Sequence, residues 1–242
     1  MTHLRSAVSK LCPVPRCGAA CLFVIVGAIL VLTPLSAAAG DADDPGRVYA
    51  AKLVYANHKT SVCFSEQFLT EVAEQTHIDT HRELVPVQSG SAELFNYPFA
   101  VMTGEGAFTL TDAQVDNLRT YLTHGGFVIA SAGCSSKDWN HSMAAALKRM
   151  FPDRSDGLTA LTADHPIFHS VYDITSSRYK TGGSKLPELR GLELDGRVVL
   201  VWSPDGLNDT ANAGGGCCCC GGNEIQSAKQ LNVNILAYAL TH

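Results

Sequence analysis

Short apolar runs alternate along this chain with stretches in which apolar positions recur at helical spacing. Residues 48–55 have the composition of a strand. Over 64–76, Phe64, Phe68, Val72 and Ala73 share one face, which predicts a helix. Residues 84–87 and 99–102 are apolar runs of strand length, the second ended by Gly104-Glu105-Gly106. Thr111 and Gln114 stand at capping-box spacing. Val115, Leu118, Tyr121 and Leu122 then form the buried stripe of a helix that Gly125-Gly126 closes. Residues 127–130 are continuously apolar, as in a strand covered on both faces. They lead through Ser131-Ala132-Gly133-Cys134-Ser135-Ser136 into a helix over 138–150, where Trp139 is read as core. Residues 152–196 show no clean period and several turn signals, so they are read as an excursion with short elements. Residues 198–202 form another buried strand. A last helix follows, capped by Asn223, with Ile225, Ala228, Leu231, Ile235 and Tyr238 on its apolar face.

Strands alternating with helices predict an α/β fold: a doubly wound, mainly parallel sheet covered on both faces. Ligands of such sheets bind beyond the carboxyl ends of the strands. Three segments are expected to meet there: Gly104-Glu105-Gly106, Gly133-Cys134-Ser135, and the stretch from Ser203 through the glycine-flanked run Cys217, Cys218, Cys219 and Cys220.

The order of several motifs resembles a bacterial family. Pro98-Phe99-Ala100-Val101-Met102-Thr103-Gly104 precedes a helix, and Gly125-Gly126-Phe127-Val128-Ile129-Ala130 runs into a cysteine turn. Asp164-His165-Pro166 follows, then Asn232-Val233-Asn234-Ile235 and Ala237-Tyr238-Ala239-Leu240. Over residues 48–241 the chain is similar to the family called domain of unknown function 4159. The resemblance implies a three-layer, flavodoxin-like fold of the class I glutamine amidotransferase type, and no established activity. Cys134 sits where those enzymes carry a nucleophile on a strand-to-helix turn. Their downstream His-x-Glu pair is missing. The one match, His81-Arg82-Glu83, precedes the cysteine turn.

The N-terminus changes the picture of where the fold works. Arg5, Lys10 and Arg16 precede an apolar stretch over 19–35, which Pro34 interrupts, and Ala37-Ala38-Ala39 follows. This predicts a signal peptide over 1–39, cleaved before Gly40, and an exported or periplasmic protein. The competing expectation is a membrane anchor formed by 19–39, the only membrane contact foreseen. Residues 40–47 read as a linker and 48–242 as one domain. The net charge of −5, without a block of like charge, argues against nucleic-acid binding. Cys12, Cys17 and Cys21 are expected to leave with the signal.

The remaining thiols, Cys63, Cys134 and the run of four, can oxidise in an exported protein. Neighbouring side chains of an extended chain point to opposite faces, so at most two thiols of the run share a face. One such pair, with Cys134 or a histidine such as His58 or His165, could hold zinc or cuprous copper. A disulfide staple and a set of redox-active thiols are the other readings. Cys134 with Glu105 as base or orienter could instead act as a nucleophile. Asp205 in Pro204-Asp205-Gly206 matches an ordinary turn. Three functions follow as expectations: a soft-metal or ligand site, a cysteine hydrolase, or a disulfide-stabilised envelope binding module.

Overall fold

Nine strands and four helices follow one another among the described residues. They are β1 (Val48–Val54), α1 (Gln67–Gln75), β2 (Thr80–Gln88), β3 (Phe99–Gly104), α2 (Asp112–Thr123), β4 (Phe127–Ala132), α3 (Lys137–Met150), β5 (Thr159–Ala160), β6 (Ser177–Arg178), β7 (Ser184–Lys185), β8 (Arg190–Leu194), β9 (Arg197–Ser203) and α4 (Ala228–Thr241). This computed structural model describes residues 46–56, 61–154, 158–213, 217 and 222–242. The expected signal segment, most of the linker, His58, Cys218, Cys219 and Cys220 lie outside the described residues.

The central sheet has the order β2-β1-β3-β4-β9-β8-β5. Every neighbouring pair from β2 through β9 is parallel, and β8 and β5 are added antiparallel. Strand alternation divides the core between two faces. Phe99, Val101, Phe127 and Ile129 pack with Phe68 and Val72 of α1 and Leu231 and Ile235 of α4. Ala100, Met102, Val128 and Ala130 pack with Leu118 and Leu122 of α2 and Trp139 and Met143 of α3. The fold is therefore α/β, with a mostly parallel sheet between two helical layers.

Local chemistry explains most element ends. Thr111 Oγ1 accepts from Gln114 N, and Gln114 Oε1 accepts from Thr111 N, so the expected capping box forms. Helix α1 begins later than its apolar pattern predicts. Ser65 Oγ accepts from Gln67 N and donates to Asn212 O, which holds 61–66 as a separate turn with Phe64 still buried. Strand β2 runs past both ends of its apolar run, because pairing with β1 extends from Thr80 to Gln88. It is an edge strand, so Pro86 inside it removes no ladder bond on its open side.

Two expectations are corrected. Asn223 does not cap the last helix: its Oδ1 accepts from both the N and Oγ1 of Thr210, and Ser227 stands at the helix start. Ile225 precedes that helix and bridges to Tyr179. The region 152–196 also contains a true sheet strand, β8. It turns into β9 through Asp195 (φ 51°) and Gly196 (φ 80°), the two positive-φ residues of a tight hairpin.

Candidate functional site at the carboxyl edge of the sheet

The segments leaving β3, β4 and β9 meet beyond their carboxyl ends, and polar side chains lock them together. Leu207 N donates to Ser131 Oγ (2.8 Å) and Gly206 N to Ser203 Oγ (3.2 Å). Ser135 Oγ donates to Asp205 O (2.7 Å), and Asn140 Nδ2 to Pro204 O (2.8 Å). Asn232 Nδ2 donates to Leu207 O (3.1 Å). Residues 204–207 are thus a fixed wall of the edge, not a free loop.

The turn after β4 is equally constrained. Cys134 (φ 51°) and Ser135 (φ 52°) are both left-handed, a conformation that costs an L-residue about 1–2 kcal/mol each. Ser136 Oγ caps α3 by accepting from Trp139 N, and it also accepts from Gly106 N. Gly133 is required by close approach: a Cβ there would stand 2.6 Å from Glu105 Cγ. Cys134 Sγ lies 3.4 Å from Glu105 Oε1. Cys134 is a disulfide cysteine, so it carries no thiol proton to donate, and the approach is a packing contact.

A second disulfide joins Cys63 to Cys217, with Cα atoms 5.0 Å apart. It ties the segment leaving β1 to the segment leaving β9. Those strands are three positions apart in the sheet, about 14 Å at ordinary strand spacing. The disulfide therefore joins two segments whose strands are separated in the sheet by β3 and β4. Ser65 Oγ to Asn212 O (2.9 Å) is a second tie between them.

Carboxylates collect at the same edge. Glu224 is only 8% exposed, and its Oε2 has no hydrogen-bond partner; neither does the buried Oδ2 of Asp205. A buried acceptor left unmatched costs about 1–3 kcal/mol, more when charged. Glu224 is held by backbone pairing with the β6–β7 hairpin: Lys180 N donates to Glu224 O, and Gln226 N to Arg178 O. Burial pushes the Glu224 carboxyl above its ordinary value of 4.5; Glu105 and Asp205 add to the shift, and Lys180 opposes it. Burial, with Asp205 close by, also pushes the Tyr179 phenol up to about 12, against a backbone hydrogen bond from Glu188.

The Glu224 shift fixes a pH dependence of stability. Below about pH 4 the carboxyl is protonated in folded and unfolded chains alike, and no penalty arises. As pH rises through the raised value, the folded state must bury a charge that the unfolded chain keeps in water. Glu224→Gln should therefore raise Tm at neutral pH and leave it unchanged in acid. Thermal melts of parent and variant at the two pH values check this; an equal shift at both would contradict it.

Of the residues expected to form a metal centre, Cys134, Cys217 and His165 are described, and His165 lies apart from the two cysteines. Cys217 bonds Cys63, and Cys134 is also in a disulfide. His165 lies at the opposite edge. Its Nδ1 accepts from Ile167 N to start a short 3-10 helix, and its ring packs 5.4 Å from Tyr238, whose hydroxyl accepts from Val198 N at the start of β9. Burial lowers the His165 pKa. Among the described residues no group of His, Cys, Asp or Glu is arranged to hold a metal ion. Cys218, Cys219 and Cys220 lie outside those residues. Glu83 lies exposed and His81 half-buried on the edge strand β2, where His81 stacks on Tyr49.

Glu105 and Cys134 do meet, as the fold reading expected, and Asp205 joins them. Glu224, Tyr179 and Lys180 were not legible as site residues. Nothing in Gly222-Asn223-Glu224-Ile225 marks a buried acid; the bridge to a distant hairpin buries it.

The family model "Domain of unknown function (DUF4159)" matches residues 49–240. The chain belongs to that family. No curated protein matches it.

Proposed function

We propose that this family member is an exported, disulfide-pinned binding module whose ligand sits at the carboxyl edge of the sheet. The Cys63–Cys217 disulfide carries the reading, because it joins the segments that follow β1 and β9, which leave the sheet at the edge where sheets of this kind take ligands. The signal-like segment 1–39, the linker 40–47 and a domain over 48–242 accord with it. The order β2-β1-β3-β4-β9 supports a flavodoxin-like, amidotransferase-type sheet, in which the winding reverses between β1 and β3. The missing His-x-Glu pair argues for a domain that has kept the fold without the triad. A soft-metal site is not carried forward, since Cys134 and Cys217 are both oxidised.

The hydrolase reading keeps one observation in its favour: Glu105 lies beside Cys134 at the start of α3. It requires a reduced Cys134, since the thiolate is the nucleophile.

Expression of the full chain in a bacterium tests the proposal. The protein should collect in the periplasm with Gly40 as its first residue. Cys63, Cys134 and Cys217 should resist alkylation until reductant is added. Cytoplasmic protein with those three thiols free would overturn the binding-module reading. Fast, selective labelling of Cys134 in native protein would favour the hydrolase.

A further inference from the structure

We propose that the acid cluster of Glu224, Asp205 and Glu105 at the carboxyl edge binds an organic cation with N–H donors, a primary ammonium or guanidinium group. This rests on the carboxyl edge being the ligand edge, and it names the chemistry that edge accepts.

Three acid-bearing segments converge on the end of β4. A Cβ at Gly206 would lie 2.2 Å from Ala132 O and 3.9 Å from Glu224 Oε2, so Glu224 faces the turn that carries Asp205. A Cβ at the next residue of β4's exit, Gly133, would meet Glu105 Cγ at 2.6 Å. Two of the acids present one buried oxygen each without a hydrogen-bond partner, Glu224 Oε2 and Asp205 Oδ2, although the Tyr179 phenol hydrogen-bonds the Asp205 side chain. Native structures leave few such atoms, and each calls for an account. Lys180 does not supply a donor: it is exposed and forms no ion pair among the described residues.

The empty role is therefore that of a donor with positive charge. Among the described residues no three His, Cys, Asp or Glu side chains are grouped to hold a metal ion. An ammonium offers three donors and a guanidinium five in a plane, so either can bridge separated acceptors. The acceptors are also preorganised. Asp205 is fixed by Ser135 and by the Asn140 bond to its neighbour Pro204, and Glu224 by the hairpin carrying Tyr179 and Lys180. Little ordering remains to be done on binding. Without ligand, a proton on Glu224 relieves the repulsion among the three acids, which matches the direction of its shift. Cation and proton then compete for one carboxylate, with Glu105, Asp205 and Lys180 as the charges facing it.

Calorimetric titration of the oxidised mature chain with n-butylammonium and n-butylguanidinium tests this, with tetramethylammonium as a cation lacking N–H. At least one N–H cation should bind at about pH 8 and weaken as pH falls to about 4. Tetramethylammonium should bind more weakly. Glu224→Gln should weaken the N–H cation by about 10- to 100-fold, the loss of a charged hydrogen bond. Glu93→Gln, on the surface away from the site, should not. No binding by either N–H cation, equal binding of tetramethylammonium, or an unchanged affinity in Glu224→Gln would each overturn the inference. If that variant does not fold, pH-independent binding by the parent overturns it instead. Thiols are counted in the same sample. Intact disulfides without binding would sink this inference alone, while free thiols would sink the binding-module reading whatever the titration gives.

Discussion

Replacing Cys63 by Ala should lower the stability of the fold by about 2–5 kcal/mol. The bond closes a loop between residues 154 apart in sequence, so it removes a large share of the freedom of the unfolded chain. In the folded state Ser65 Oγ to Asn212 O still ties the two segments among the described residues, and a neutral hydrogen bond contributes about 1 kcal/mol. Cys63 is fully buried, so the lost sulfur also leaves a small void beneath the loops. For a domain of this size the expected fall in Tm is about 5–15 °C. Thermal melts of parent and variant without reductant measure it. A change within about 1 °C would mean that the loops are held by packing and not by the bond.

Gly206→Ala should cost about 3 kcal/mol or more, through two separable effects. Gly206 has φ 97°, a conformation that strains any L-residue. Its Cβ would also stand 2.2 Å from Ala132 O, a backbone atom that cannot rotate aside. Relief requires moving a turn that Ser131, Ser135, Ser203 and Asn140 hold in place. Gly196→Ala separates the effects, because φ there is 80° and nothing lies within 4 Å of a Cβ. It should cost about 1 kcal/mol, the conformational part alone. Urea denaturation of the two variants measures the difference. Equal losses would show that the Ala132 contact relaxes freely. Because Asp205 rides on the same turn, Gly206→Ala should also disturb the acid cluster, whereas Gly196→Ala should not.

Several elements were legible because their signals are local. The capping box of Thr111 and Gln114 formed as written, and the stripe Val115, Leu118, Tyr121 and Leu122 is buried. The continuous apolar runs of β3, β4 and β9 are the strands covered on both faces. Strand β8 had a signal too. Asp195-Gly196 is a strong short-range hairpin mark, but the polar residues of 190–194 obscured the strand before it. Asn223 misled because a cap and a loop staple use the same side-chain oxygen, and only the position of Thr210 decided between them.

The candidate site divides along the same line. The sequence by itself determined the alternation of strand and helix, the edge at which the reactive segments meet, and that Cys134 and Glu105 belong to it. Spacing and periodicity act over a few residues, and these conclusions need nothing longer. Only the tertiary structure decided that Cys217 pairs with Cys63, that His165 caps a turn at the opposite edge, and that Glu224 is buried beside Asp205. Each depends on contacts between distant segments. Six thiols can pair in many ways, a histidine can serve as cap or ligand, and an acid can be exposed or enclosed. The chain carries no local mark that separates these outcomes; packing of the sheet, its helices and the β6–β7 hairpin does.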